Sequence, residues 1–149
     1  MTGRPVGAGA VFGFGLGGLV DGIVLHQVLQ WHHLVSATTS DRTVNGLRAN
    51  TLADGVFHLV TLAVVVAGVA LLWRAARTPG PRWGRLATGG VLLGFGAFHV
   101  VDEVVFHLLL DLHHIRMVDG YLPYDLAFAG IGVVLLAAGA LVVRRRPAA

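Results

Sequence analysis

Residues 13–33 read GFGLGGLVDGIVLHQVLQWHH, and residues 94–114 repeat their pattern as GFGAFHVVDEVVFHLLLDLHH. Both copies follow G-F-G-x5-D-x4-H-x5-H-H, lie in long apolar segments and are 81 residues apart. Charged and imidazole side chains are unfavourable inside a membrane, so they need partners and mark candidate functional positions. Because the same ionisable set occurs twice, we expect the two copies to build one polar site together.

The composition is that of a membrane protein. The chain has 149 residues, of which 55% are hydrophobic and 13% charged, and its mean hydropathy is +0.73. Soluble domains carry about 25% charged residues. A membrane-spanning helix needs about 20 apolar residues, and four segments qualify. They are residues 11–33, 52–73, 86–111 and 122–143. The sequence therefore predicts a single all-α domain over residues 1–149, an integral membrane four-helix bundle.

The repeat extends into the second and fourth segments at an offset of 71 residues. Asp54 and Phe57 of the second segment recur as Asp125 and Phe128 of the fourth. The sequence thus predicts two repeated helical hairpins, residues 11–73 and 86–143, related by a pseudo-two-fold axis along the membrane normal. Three pairs of equivalent positions break the repeat: Gly18 and His99, Gly22 and Glu103, and His58 and Ala129.

The arginines indicate how the helices are oriented. Eight of the eleven basic residues fall at one end of the predicted bundle: Arg4, Arg74, Arg77, Arg82, Arg85, Arg144, Arg145 and Arg146. The positive-inside rule places that end, with both termini, in the cytoplasm of a multi-pass cell-membrane protein. We therefore expect the lipid bilayer, and not nucleic acid, to be the partner of this positive charge. Cysteine is absent, which excludes disulfides and thiolate metal ligands.

All eight histidines lie toward the opposite, outer end. On regular α-helices, His26, His58 and His107 reach one level, with Glu103 about one turn further in. Three imidazoles with a carboxylate or water form an established set for zinc, copper or iron. The sequence therefore predicts that these three histidines converge on a metal ion with Glu103 as a candidate ligand.

The terminal His-His pairs and the aspartates supply further candidates. His32, His33, His113 and His114 form either a second metal site or a shell that orients the first, or they are interfacial rings. Asp54 is a candidate general base, as is Glu103. Asp21 and Asp102 are candidates for orienting ligands, for carrying protons or for sharing one proton as a pair. His99 has no counterpart in the repeat, which favours packing or proton transfer.

The chain also resembles a known family at these residues. The segments DGIVLHQVLQWHH (21–33), NTLADGVFH (50–58) and HLLLDLHHIR (107–116) are similar to the bacterial membrane proteins grouped as domain of unknown function 2243. The resemblance covers nearly the whole chain. It implies a four-helix membrane protein with polar positions at these histidines and aspartates, but it implies no activity. Glu103 stands where the resemblance leads us to expect a small residue.

Several functions fit this pattern. The leading hypothesis is a metal centre near the outer face for redox chemistry or metal handling, with copper or iron preferred. One alternative is a zinc-dependent membrane hydrolase. Another is a haem-binding electron carrier with His26 and His107 as axial ligands. The last is a non-catalytic assembly factor of a respiratory membrane complex. The sequence does not decide whether the protein is an enzyme, for which a metal-dependent membrane oxidoreductase is the candidate, or whether it forms a homo-oligomer.

Overall fold

The computed structural model describes residues 3–145, so Arg146 of the predicted basic C-terminus lies outside it. Helix α1 spans Gly3–Asp21 and continues as a first π-helical segment over Gly22–Val28. Helix α2 spans Val44–Ala76. Helix α3 spans Trp83–Asp102 and continues as a second π-helical segment over Glu103–Leu109. Helix α4 spans Leu122–Arg144.

Four helical stretches are long and apolar enough to cross a membrane, which confirms the predicted all-α, four-helix class. The helix ends differ from the prediction. Helix α2 begins at Val44, eight residues before the predicted start. The first helix ends at Val28 and the third at Leu109, so neither terminal His-His pair is helical. Thr43 caps α2 by accepting a hydrogen bond from the Gly46 N–H (3.1 Å), which explains the earlier start.

Helices α1 and α3 pack against each other at the centre of the bundle, while α2 packs on α1 and α4 on α3. Glycines allow the central helices to approach closely. A Cβ atom on Gly13 would collide with the Val91 carbonyl oxygen, and one on Gly94 would collide with that of Ala10. These contacts are reciprocal at the repeat offset, as an axis of two-fold symmetry requires. The pseudo-two-fold relation itself stays a prediction.

Each outer helix also contacts its central helix at equivalent glycines. A Cβ atom on Gly15 would lie 2.7 Å from the Val65 nitrogen, and one on Gly96 would lie 2.8 Å from the Leu136 nitrogen. The offsets between these positions are the 81 and 71 residues of the sequence repeat. The two hairpins are therefore packed at equivalent positions.

The two π-helical segments end in the same way. The Leu29 N–H donates to the Val24 carbonyl (2.8 Å), and the Leu110 N–H donates to the Val105 carbonyl (2.9 Å). The chain then turns sharply at Gln30 (φ 51°) and at Asp111 (φ 48°), both in the left-handed region. Because of these turns, the following histidines fold back onto the helix ends instead of continuing outward.

The interior of the outer end is polar. Aliphatic side chains cover the outside of α2 and α4, where a bilayer would contact them. The largest fully buried side chains are instead imidazoles, carboxylates and an amide: His26, His107, His113, Asn50, Asp54, Asp102 and Asp125. Buried charges persist only when they are paired or bind metal, so this interior is the candidate functional site.

Candidate metal centre

The π-helical geometry brings an aspartate and a histidine together in each half. Residues five apart lie about 140° apart around an α-helix. The hydrogen bonds of a π-helix join residues five apart, so such side chains become neighbours there. His26 Nε2 lies 3.4 Å from Asp21 Oδ2, and His107 Nε2 lies 3.2 Å from Asp102 Oδ2. The change from α- to π-helix therefore creates the inner part of the site.

The first histidine of each terminal pair completes the cluster from the opposite half. The His32 Nδ1–H donates to the Ile115 carbonyl (2.9 Å), and the His113 Nδ1–H donates to the Leu34 carbonyl (3.0 Å). The rings of His32 and His113 stack with centroids 4.5 Å apart. His32 contacts His26 at 4.4 Å between ring centroids. The two halves thus exchange backbone hydrogen bonds around four imidazoles.

Asp54 holds the histidines of the first half. Its carboxylate accepts hydrogen bonds from His26 Nδ1 (2.9 Å), His33 Nδ1 (2.7 Å) and the Leu34 N–H (2.9 Å). Gln27 Nε2 donates a further bond at 3.3 Å. A carboxylate that accepts so many bonds orients its donors. This arrangement favours positioning over the general-base role considered for Asp54.

In the second half, the carboxylates of Glu103 and Asp125 together orient the histidines. Asp125 accepts hydrogen bonds from His114 Nδ1 (2.7 Å) and from the Ile115 N–H (2.9 Å). His107 Nδ1 donates instead to Glu103 Oε2 (2.8 Å), and it lies 3.8 Å from Asp125. Glu103 therefore orients His107, which is a different role from the predicted direct ligand.

These bonds fix which imidazole nitrogen is available to a metal. Nδ1 donates its proton in each of the four central histidines, which leaves the Nε2 lone pair of a neutral ring free. These atoms belong to His26, His32, His107 and His113, and none of them makes a hydrogen bond within residues 3–145, although those of His26 and His107 lie 3.4 and 3.2 Å from the carboxylates of Asp21 and Asp102. The same holds for both carboxylate oxygens of Asp21 and for Asp102 Oδ2. Unpartnered buried polar atoms are rare and call for an explanation.

Electrostatics favours the neutral form of the two histidines that lie outside the spanning helices. Burial, with the neighbouring His113 ring, lowers the pKa of His32 to about 2. Burial likewise lowers the pKa of His113 to about 4. Both rings are therefore neutral at physiological pH, the form in which imidazole binds metals.

Within residues 3–145, three groups of candidate ligands have donor atoms within 4.8 Å of one another, and two of these groups share His113. One group is His26, His32 and His113, and the other is Asp102, His107 and His113. His113 belongs to both, so the groups adjoin. A third group joins Glu103, His107 and Asp125. It uses His107 Nδ1, whose proton is already donated to Glu103, so we assign it to orientation of the centre.

The predicted set of His26, His58 and His107 is not among the groups that residues 3–145 bring together. The His58 ring centroid lies 6.5 Å from that of His26. The prediction placed His32 and His113 outward on continuing helices. The turns at Gln30 and Asp111 instead return them to the centre, where they take the place assigned to His58.

His58 explains two of the breaks in the repeat together. A Cβ atom on Gly22 would collide with His58 Nε2, so a larger residue at this position requires the His58 ring to move. The equivalent positions in the second half are Glu103 and Ala129. In the first half the large side chain, His58, is on α2 and faces Gly22. In the second half the large side chain, Glu103, is on the central helix, and the equivalent residue of α4 is Ala129.

The remaining predicted residues lie around this centre. His33 and His114 orient Asp54 and Asp125 instead of joining the ligand groups. The His99 Nδ1–H donates to the Phe95 carbonyl of its own helix at 3.0 Å, and its ring stacks on Phe128 at 4.2 Å between centroids. His99 is therefore a packing residue, one of the two alternatives considered for it.

Sequence reasoning missed the backbone contribution of the loops. The Leu34 and Ile115 carbonyls fix the tautomers of His113 and His32, and a carbonyl leaves no residue signature. Asn50 was also missed as a structural residue. Its side chain is fully buried and donates to the Thr39 carbonyl (2.8 Å), which ties the first outer loop to α2.

Comparison with known proteins agrees with this architecture. A family model described as a predicted membrane protein, domain of unknown function 2243, matches residues 8–146. The chain belongs to this family. The resemblance noted from the sequence is thereby confirmed. No curated protein and no solved structure matches the chain.

Proposed function

We propose that this chain is an integral membrane metal-binding protein whose centre is built from His26, His32, His107 and His113 with Asp21 and Asp102. One observation carries the proposal. Four imidazole Nε2 atoms, both carboxylate oxygens of Asp21 and Asp102 Oδ2 are buried without a hydrogen bond within residues 3–145, and His113 links the two ligand groups to which these histidines belong. A cation bound in either group would supply the missing partner to the three donor atoms of that group.

The donor set narrows the choice of metal. Nitrogen and oxygen donors without sulfur suit copper, iron and zinc, and we place copper or iron first. Bound copper or iron supplies one-electron redox chemistry. In this proposal the protein orients the imidazoles through Asp54, Glu103 and Asp125, and Asp21, which is in no ligand group, is available to accept or carry a proton.

The alternatives fit the geometry less well. A zinc hydrolase needs access for water and substrate, whereas His26 is 0% exposed and His32 3% exposed. A haem between His26 and His107 needs a planar slot. The ring of His113 lies instead against both, 5.9 Å from His26 and 4.7 Å from His107 between centroids. A metal-handling or assembly role in the cell membrane, with or without a respiratory partner, is compatible with the same centre.

The test is the metal content of protein purified in detergent without chelators. Elemental analysis of the wild type, as isolated or after exposure to copper, iron or zinc, should give at least about one ion per chain. His113→Ala should lose most of this metal, because His113 belongs to both ligand groups. His99→Ala is the matched control and should retain it. An absorption spectrum of the same samples detects haem.

Two results would overturn the proposal. The first is a folded wild type that binds none of the three metals. The second is His113→Ala protein with full metal content and unchanged helicity. In either case the histidines are better described as a hydrogen-bonded network that conducts protons.

A further inference from the structure

A cavity of about 1620 Å³ lies at the arginine-rich end of the bundle, away from the histidines. It is bounded by the start of α1, the end of α2 and the connection to α3. Four arginines line it: Arg4, Arg74, Arg77 and Arg82. They come from three parts of the chain that only the fold brings together.

The positive charge of this cavity is not balanced by the protein. Residues 1–20 and 55–101 contain no aspartate or glutamate. Within residues 3–145, the ion pairs all involve histidines, so none of the four guanidinium groups has a carboxylate partner. Clustered arginines of this kind bind phosphate groups through paired, charge-assisted hydrogen bonds.

The other walls of the cavity are apolar. Val11, Leu71 and Leu86 line its inner part. Trp83 also lines it, and its indole N–H is buried without an acceptor in the described part of the chain. A free anion uses only the arginines, whereas an amphiphile with a phosphate headgroup also covers these aliphatic side chains. Tryptophan is typical of the depth at which lipid headgroups lie.

We propose that the arginine cavity is a binding site for an anionic phospholipid. The phosphate contacts the four arginines, and the beginning of an acyl chain lies along the aliphatic wall. Anionic lipids are attracted to clustered arginines at the membrane surface. This site is separate from the metal centre and does not depend on it.

The test uses the full-length protein in a neutral detergent and three probes: dioctanoyl phosphatidylglycerol, dioctanoyl phosphatidylcholine and inorganic phosphate. Native mass spectrometry measures how much of each binds. Phosphatidylglycerol should bind more tightly than the other two. The double variant Arg77→Gln/Arg82→Gln should weaken its binding about tenfold or more, because charge-assisted hydrogen bonds are lost.

The matched control is Arg42→Gln/Arg48→Gln, which removes the same charge near the opposite end, and it should bind phosphatidylglycerol as the wild type does. Helicity and thermal unfolding in the same detergent report whether each variant is folded. Equal binding of phosphatidylglycerol and phosphatidylcholine, or undiminished binding by folded Arg77→Gln/Arg82→Gln, would overturn the proposal. Inorganic phosphate binding as tightly as phosphatidylglycerol would show a free-anion site and overturn the lipid assignment.

Discussion

Asp54 and Asp125 occupy equivalent positions in the repeat but accept hydrogen bonds from different sets of histidines. Asp54 orients both His26 and His33, whereas Asp125 holds His114 and leaves His107 mainly to Glu103. Asp54→Asn should therefore lower metal affinity about 10–100-fold, the range for lost orienting partners. Asp125→Asn should lower it less. Competition titration against a chelator measures both, and equal losses would contradict this division of roles.

The exchange of large and small side chains between the halves leads to a second prediction. His58→Ala should keep its metal, contrary to the sequence-based expectation, because His58 is outside the ligand groups. Gly22→Glu alone should be destabilised, since the new side chain must displace the His58 ring. Combining the two changes should recover most of that stability. Thermal unfolding in detergent measures the stability of the three variants, and elemental analysis measures their metal content. A double variant no more stable than Gly22→Glu would refute the coupling between positions 22 and 58.

The sequence predicted which residue types form the polar interior better than it predicted which of these residues contact one another. Repetition identified the buried aspartates and histidines, because ionisable residues are rare in apolar segments. It did not show which imidazoles meet, because that depends on turns at Gln30 and Asp111, residues that carry no glycine signature of a left-handed conformation. The prediction that His58 meets His26 and His107 assumed regular helices and so did not include those two turns.

Among the elements, the four helices were predictable and the π-helical segments were not. Apolar length reports a span but does not distinguish i+4 from i+5 hydrogen bonding. One signal was present. Asp21 and His26 lie about 140° apart on an α-helix, which would direct one of them toward lipid. Two ionisable residues five apart in a spanning helix therefore indicate a local widening of the helix.

The contact between α1 and α3 gives a third prediction. Gly94→Ala places a methyl group against the Ala10 carbonyl, so the two central helices must separate. Overpacking of this kind costs about 1–3 kcal/mol. Gly130→Ala is the control: nothing lies within 4 Å of its Cβ position, so it should be neutral or stabilising by about 0.5–1 kcal/mol. Unfolding in mixed detergent compares them, and equal stability of the two variants would argue against close packing at Gly94.

For the whole molecule, the fourth prediction concerns orientation in the membrane. One end of the bundle carries Arg144 and Arg145 together with Arg4, Arg74, Arg77, Arg82 and Arg85. Both termini should therefore be cytoplasmic, and the histidine-rich end should face outward. Reporter fusions after Ala149 and near Thr39 should report opposite sides. An extracytoplasmic C-terminus would reverse the scheme and place the arginine cavity in the outer leaflet.

The crossed hydrogen bonds of His32 and His113 determine the order of events during biosynthesis. The first hairpin carries His26, His33 and Asp54, so these can associate while the ribosome is still translating the second. His32 must wait for the Ile115 carbonyl, which emerges 83 residues later. The cluster therefore closes only when the last hairpin has inserted. A truncated or stalled chain lacks the complete donor set, so under the proposed metal-binding function metal loading would follow membrane insertion as the final step of maturation.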